Sequence, residues 1–301
     1  MQPAESTTTR PIELAVPADR AEAAKKAASH GSGVFRAFLL GVVFLYLGVV
    51  LVAPLVALAM ETVDVGFAEI VRALGTPTAL SALWNSVALV ALAVAINAVV
   101  GTLGAIYIVR HRHFARGYLD ALCDLPLAVS PVMIGLAFIL LLGRDGVLAP
   151  VLDAAGVKIL FSFPALLLAT LFVTLPFAMR EVAYVLEEIG TSEEEAAVTL
   201  GASPLQTFFR VTLPNIRVAL SYGLMMTAAR ALGEFGAVLV LGGSIAGHTQ
   251  TATTFIHDAI EERDLASAYG MAAVLALASI ALLLVLEVLK RRTHAVTRRE
   301  K

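Results

Sequence analysis

The chain has 301 residues, of which 58% are hydrophobic and 15% are charged, and its mean hydropathy is +0.84. This composition excludes an ordinary soluble domain, in which about a quarter of the residues are charged. A net charge of −2 at pH 7 excludes the basic field by which proteins bind nucleic acids. The chain is therefore predicted to be an all-α integral membrane protein, with room for about five to seven spans.

The predicted elements begin with a polar tail over residues 1–33, which has too few large apolar residues to form a core. This tail is also too long for a secretory signal peptide. A transmembrane domain over 34–290 and a basic tail over 291–301 follow. Six apolar stretches predict helical spans, because a backbone in lipid must satisfy its hydrogen bonds within its own segment. They lie near 35–60, 84–109, 121–142, 163–179, 216–241 and 266–289.

Charge placement predicts the orientation of these spans, because Lys and Arg in short loops are retained on the cytoplasmic side. Of the 22 cationic residues, 17 fall in segments that share one side of a six-span protein. These segments are the two tails, the loop after the second span and the long segment between the fourth and fifth spans. Both termini are therefore predicted to be cytoplasmic.

The third apolar stretch is interrupted by Ser130-Pro131, with Gly135 one turn further on. Proline lacks the N–H that a continuing helix needs, so either a proline kink or a restarted helix is expected here. A restarted helix would direct free backbone N–H groups into the bundle, and such helix ends attract anions. Ser130, Pro131 and Gly135 are therefore candidate gate residues.

The segment between the fourth and fifth spans is predicted to form two short helices. Thr191 or Ser192 can cap the first, with a glutamate three residues later completing a capping box. Gly201 is expected to end this helix in a left-handed conformation. Ser203 and Pro204 are expected to begin the second helix, and Leu213-Pro214 to break it before the fifth span. Such a segment is either an ordinary connector or a rigid protrusion that docks into a groove on a partner protein.

The fifth apolar stretch contains two charged residues, Arg230 and Glu234, spaced so that their side chains share one helix face. An unpaired charge at the bilayer centre costs about 2.5 kcal/mol or more. One interpretation is an ion pair that holds the bundle together. The other is that Arg230 borders a conduit and favours oxyanions, because intramembrane ionisable residues tend to face cavities.

The sequence lacks the motifs of several functional classes. It has no G-x-x-x-x-G-K-[ST] loop for binding ATP and no H-E-x-x-H zinc motif. All six histidines fall in predicted tails or loops, which argues against an intramembrane protease. His257 and Glu261 have the spacing of metal ligands, but with acidic neighbours they are interpreted as a solvated helix face. An ATP-independent secondary transporter stays open, although neither internal repeats nor many buried charges are evident.

The predicted loop resembles the E-A-A-x3-G-x9-I-x-L-P motif of importer-type ABC transporter permeases. Its matching positions are Glu195, Ala196, Ala197, Gly201, Leu213 and Pro214, with Val211 in place of isoleucine. Further segments are similar to the sulfate, molybdate and tungstate branch, and most to its W-type sulfate/thiosulfate permeases. They read LPLAVSPVMIG at 125–135, TLPF at 174–177, ARALGEFGAV at 229–238 and GHTQT at 247–251.

This resemblance implies a six-helix importer-type ABC permease in the bacterial cytoplasmic membrane. It implies that the matched loop couples the chain to two copies of an ATPase subunit, which use ATP and Mg²⁺ while this chain binds no cofactor. It also implies a second permease, a T-type chain or another copy of this one, and a soluble sulfate-binding protein outside the cell. Sulfate or thiosulfate is the expected cargo, with molybdate or tungstate as the alternative.

Overall fold

The computed structural model describes residues 35–111 and 116–297, and within these ranges the chain forms helices and loops without a β-strand. The prediction of an all-α protein is therefore confirmed. The predicted tail over 1–33 lies outside the described residues. Backbone contacts divide the chain into a unit that ends at Ala57 and a unit that begins at Leu58.

The helices are numbered in chain order. They are α1 (Phe35–Val65), α2 (Phe67–Leu74), α3 (Pro77–Arg110), α4 (Arg116–Ala128), α5 (Pro131–Leu142), α6 (Ala149–Ala155), α7 (Phe163–Ile189), α8 (Ser192–Thr199), α9 (Pro204–Leu232), α10 (Gly236–Gly242), α11 (Ala252–Glu261) and α12 (Leu265–Thr297). Both α1 and α9 contain a π-helical segment, at Gly48–Val52 and Phe208–Thr212 respectively.

Four of the described helices, α1, α3, α7 and α12, are long and apolar enough to cross a membrane as continuous helices. The third and fifth predicted spans are instead helix pairs that bend sharply at a short break. The bend is 113° between α4 and α5 and 58° between α9 and α10. The count reaches six only if each bent pair is one span, so the number of crossings and the side of the termini stay predictions.

The predicted break at Leu213-Pro214 is wrong, because α9 continues through these residues to Leu232. The preceding turn is π-helical, and the N–H of Leu213 donates to the carbonyl of Phe208, five residues back. Pro214 lies in the first turn of the regular helix that follows, where the fixed φ of proline suits the helix. The wider turn therefore lets the helix pass the proline without stopping.

The centre of the second unit is the crossing of α3, α7 and α9 at Ala178 of α7. A Cβ built on Gly101 of α3 would lie 3.0 Å from the Cβ of Ala178. A Cβ built on Gly223 of α9 would lie 2.8 Å from the Cα of Ala178 and 3.0 Å from the carbonyl oxygen of Phe177. Small residues let helix backbones approach this closely in membrane proteins.

Side chains around this crossing complete the core. The Nδ2 group of Asn97 on α3 donates to the hydroxyl of Thr174 on α7 at 2.8 Å, and both residues are buried. Such an interhelical bond satisfies polar groups that lipid cannot. A buried apolar cluster continues toward the end of α3, formed by Ala105, Ile108, Met179, Val182, Leu186 and Ile216.

Helix α11 and the loop before it are fixed to the first turns of α3. The hydroxyl of Ser86 accepts the N–H of Ala252 at 2.8 Å, and the Nδ2 group of Asn85 donates to the carbonyls of His248 and Gln250 at 3.1 and 2.9 Å. Apolar contacts with α12 cover the same region through Ala79, Ala82, Ala252, Phe255 and Met271. These contacts position α11 beside the α9–α10 break.

We expect Gly223→Ala to lower the free energy of unfolding by about 1–3 kcal/mol, because the added methyl group meets the backbone of α7. The matched control is Gly117→Ala on α4, since a Cβ there has no atom within 4 Å. Thermal unfolding of the purified protein in detergent measures both variants. Equal melting temperatures for the two variants would contradict the close approach of α7 and α9.

Candidate functional site

The candidate gate residues of the third predicted span lie at the break between α4 and α5. Ser130 has an extended backbone, with φ −62° and ψ 136°, and Pro131 is the first residue of α5. The N–H of Ile134 is the first in α5 to bond backwards, to the carbonyl of Ser130 at 3.1 Å. With a bend of 113°, this is a restarted helix rather than a kinked span.

Arg230 and Glu234 lie at the second break, where α9 ends and α10 begins. The Nη1 group of Arg230 is 2.7 Å from Oε2 of Glu234, and their side chains are 32% and 1% exposed. The other carboxylate oxygen of Glu234 accepts the N–H of Ala237 at 3.0 Å, in the first turn of α10. The carboxylate therefore joins the end of one helix to the start of the next.

The two breaks lie against each other through reciprocal glycines. A Cβ built on Gly135 of α5 would lie 2.8 Å from the Cβ of Val240 on α10. A Cβ built on Gly236 of α10 would lie 2.9 Å from Cγ2 of Val132 and 3.5 Å from the Cβ of Pro131. The structure thus brings the two predicted groups of path residues together into one site, here called the broken-helix site.

Helix α11 packs beside this site. The hydroxyl of Thr253 donates to the carbonyl of Glu234 at 2.8 Å, and the ring of His257 lies 5.2 Å from the ring of Phe235. The Nδ1 and Nε2 atoms of His257 lie 3.6 and 3.7 Å from the carboxylates of Asp258 and Glu261. Within the described residues, no group of three or more potential ligands could hold a metal ion.

The loop that matches the permease motif forms α8 and the start of α9. Gly201 has φ +87°, so the predicted left-handed stop is confirmed. Ser203 caps α9 in a full capping box with Gln206, which confirms Ser203 as the cap. The predicted capping box at the start of α8 is wrong. The Thr191 hydroxyl donates to the carboxylate of Glu195 at 2.6 Å instead of accepting a backbone N–H.

This loop presents apolar groups to its surroundings. Leu200 is 88% exposed and Leu205 is 71% exposed, and Val198 and Phe209 are exposed beside them. None of the side chains of α8 is buried. Of the motif residues, Glu195, Ala196, Gly201 and Pro214 are exposed, while Ala197 and Leu213 are partly buried. We call this surface the loop surface.

Gly236 and Thr253 have roles at the broken-helix site that the sequence reasoning missed. Gly236 lies inside the run ARALGEFGAV that resembles the permease family, and this run is the signal that could have pointed to it. Thr253 offers no such signal, because its contact with Glu234 depends on how the loop before α11 folds back.

Residues 97–298 match the family described as the binding-protein-dependent transport system inner membrane component. The chain belongs to this family. Together with its long apolar helices, this membership makes the chain a multi-pass membrane protein.

Relatives of this transport component extend the match over most of the chain. It is 40% identical over 260 residues to the sulfate transport system permease protein CysW of Synechococcus elongatus, covering 86% of this chain and 91% of the relative. It is 40% identical to CysW of Escherichia coli, covering 85% and 88%. It is 34% identical to the sulfate transport system permease protein CysT of Escherichia coli, covering 84% and 91%. The predicted resemblance to W-type permeases is confirmed, and the relatives are named as permeases, not as enzymes.

A solved structure shows the fold. The chain aligns with a TM-score of 0.71 and 19% identity to a chain of a bacterial alginate ABC transporter, crystallised in complex with an alginate-bound periplasmic protein. The alignment covers 88% of this chain and 96% of that chain. The predicted importer-type ABC permease fold is therefore confirmed.

We expect Arg230→Gln to destabilise the protein more than Glu234→Gln does. The first substitution leaves a buried carboxylate without its cation, which costs at least about 1–3 kcal/mol, whereas the second keeps an oxygen for the N–H of Ala237. Thermal unfolding in detergent measures the difference. Wild-type stability of Arg230→Gln with loss of transport would instead favour the conduit interpretation of Arg230.

Proposed function

We propose that this chain is a permease subunit of an ATP-driven importer for sulfate or thiosulfate in the bacterial cytoplasmic membrane. The observation that carries the proposal is the 40% identity to sulfate permease proteins over nearly the whole transmembrane region. The match includes the loop and both helix breaks, so it extends to the parts of the chain that would perform transport.

We propose that the loop surface couples the chain to a separate ATPase subunit. An exposed set of apolar side chains on the short helix α8 and on the capped first turns of α9 fits a groove on a partner protein. Glu195, Ala196, Ala197 and Gly201 would lie at the centre of this contact. In the complete importer, two ATPase subunits would use ATP and Mg²⁺, and this chain would bind neither.

We propose that the broken-helix site borders the translocation path. A sulfate dianion cannot enter lipid without replacement of its hydration shell. The start of α5 after Ser130-Pro131 supplies backbone N–H groups, and helix N-termini favour anions. Arg230 adds a positive charge, and about a third of its side chain is exposed although it pairs with Glu234. The close packing at Gly135 makes this region a candidate gate.

The proposed importer needs further subunits. A second permease, homologous to the CysT relatives, would complete the path at the interface between the two chains. A soluble sulfate-binding protein would deliver the anion on the outside. ATP-driven closure of the ATPase subunits would move the loop surface and change the bundle from inward-open to outward-open, and only state-dependent contacts can drive such a change.

We expect the chain, produced with the ATPase, second permease and binding protein from the same organism, to restore uptake of labelled sulfate. The host strain lacks its own sulfate permease. Excess unlabelled thiosulfate should block the uptake, whereas molybdate should not. All three anions share charge and tetrahedral shape, so this difference distinguishes a sulfate/thiosulfate importer from a molybdate/tungstate importer. Molybdate or tungstate accumulation without sulfate uptake would move the substrate to those oxyanions. Uptake without the ATPase would indicate a secondary transporter.

We expect Glu195→Lys and Gly201→Trp to abolish ATP-dependent uptake while the protein level in the membrane stays normal. The first reverses a charge on the loop surface, and the second places a large side chain at φ +87°. The controls are Glu188→Lys, an exposed glutamate outside the motif, and Gly201→Asn, since asparagine tolerates this conformation. Copurification of the ATPase measures the contact, and full uptake by Glu195→Lys and Gly201→Trp would refute it.

A further inference from the structure

Arg110, the last residue of α3, binds two other helices with its guanidinium. Its Nε and Nη2 groups lie 2.9 and 3.2 Å from the two carboxylate oxygens of Glu194 on α8. Its Nη1 group donates to the carbonyl of Leu186 near the end of α7 at 3.1 Å. A planar guanidinium has five N–H donors in a fixed arrangement, so it can bind both acceptors at once.

Glu194 extends the contact to a fourth helix. Its Oε1 atom also accepts the hydroxyl of Thr212 at 2.8 Å. Thr212 is 5% exposed and lies in the π-helical segment of α9, directly before the motif residues Leu213 and Pro214. The ends of α3 and α7 are thus joined to α8 and α9 through one cation and one carboxylate. We call Arg110, Leu186, Glu194 and Thr212 the Arg110 network.

The burial of this ion pair distinguishes it from other pairs nearby. The side chains of Arg110 and Glu194 are 14% and 21% exposed. Those of Arg116 and Glu187 are 37% and 51% exposed, and solvated pairs of that kind contribute little. The Arg110 network is therefore shielded from water and counter-ions, which strengthens its electrostatic attraction.

Helix α8 depends on polar contacts for its position. It has eight residues and no buried side chain, so it has no apolar face in the core of this chain. Its described side-chain contacts with other helices are those of Glu194 and one exposed bond between Glu193 and Asn215, at 2.6 Å. A force applied to α8 reaches α7 and α9 through the chain itself and through Thr212 and Asn215, whereas its described side-chain contact with α3 is the one with Arg110.

We propose that Arg110 is a positioning residue that transmits movement of α8 to α3 and α7. The inference rests on the proposed function, in which an ATPase moves the loop surface. Apolar replacement of a buried ion pair is often neutral for stability, so stability alone does not require this network. A geometrically fixed connection between α8 and α3 does require it, because Arg110 makes the described side-chain contact between these two helices and apolar contacts are non-directional.

The test uses the complete importer in liposomes and measures sulfate uptake and ATP hydrolysis in the same vesicles. Arg110→Met leaves Glu194 unpaired and is expected to lower the amount of assembled complex. Arg110→Met combined with Glu194→Leu removes both charges, so assembly should recover. The sulfate transported per ATP hydrolysed should nevertheless fall about tenfold or more, because the connection is still missing. Arg116→Met, in the exposed pair, is the matched control and should keep the wild-type ratio.

Arg110→Lys adds a graded comparison. Lysine keeps the charge, but its single ammonium group lacks the planar set of donors with which Arg110 contacts the Leu186 carbonyl and both Glu194 oxygens. It should assemble normally and give an intermediate ratio of transport to hydrolysis. A merely stabilising role would leave that ratio unchanged in every variant that assembles.

Each outcome decides between two claims. A double variant with the wild-type ratio, or one that fails to assemble, would overturn the role of Arg110 and leave the proposed function standing. A wild-type complex that assembles without ATP-dependent anion uptake would overturn the proposed function, and the role of Arg110 with it. An assembled double variant that hydrolyses ATP without transport would support both.

Discussion

A helix that stops inside a membrane must be covered by protein, because lipid offers no hydrogen bonds to the backbone groups that the stop leaves free. Within the described residues, two apolar helix pairs break in this way, after Ala128 and at Gly233, and the short helices that follow the breaks cover one another. Gly135 and Gly236 make that close approach possible, since any Cβ at either position would collide with the other helix. The broken-helix site therefore needs both α5 and α10, because each covers the other.

Buried charged groups are also costly unless other protein groups satisfy them, and this holds at the broken-helix site and in the Arg110 network. Glu234 is buried and would be costly alone, but Arg230 neutralises it and α10 donates to it. Glu194 is partly buried and is held by Arg110 and Thr212. Buried ion pairs add little net stability, because desolvation offsets their attraction. Their effect here is geometric, since each carboxylate fixes the angle between two helices that meet at its position.

Features set by local chemistry were predictable from the sequence. Gly201 and Ser203 end and begin their helices as expected, and Arg230 meets Glu234 because they are one turn apart. Features set by distant contacts were not. The close approach of Gly135 to Val240 on α10 joins residues far apart in the chain, and the Arg110–Glu194 pair joins residues 84 positions apart. Pro214 was misjudged because the π-helical turn before it has no compositional signature.

Two helices, α7 and α9, connect the loop surface to the broken-helix site, and α9 carries Arg230 in its last turn. Helix α7 connects them through its packing. Its last turn supplies the Leu186 carbonyl to Arg110, and its middle carries Ala178 between Gly101 and Gly223. Its first turns pack Ala165 and Ala169 against α10. Because close-packed interiors transmit displacement rather than absorbing it, a tilt of α7 would move α10 with it. In the proposed importer, the ATPase would thus act on the path through continuous helices, which need no separate chain of side chains between the two sites.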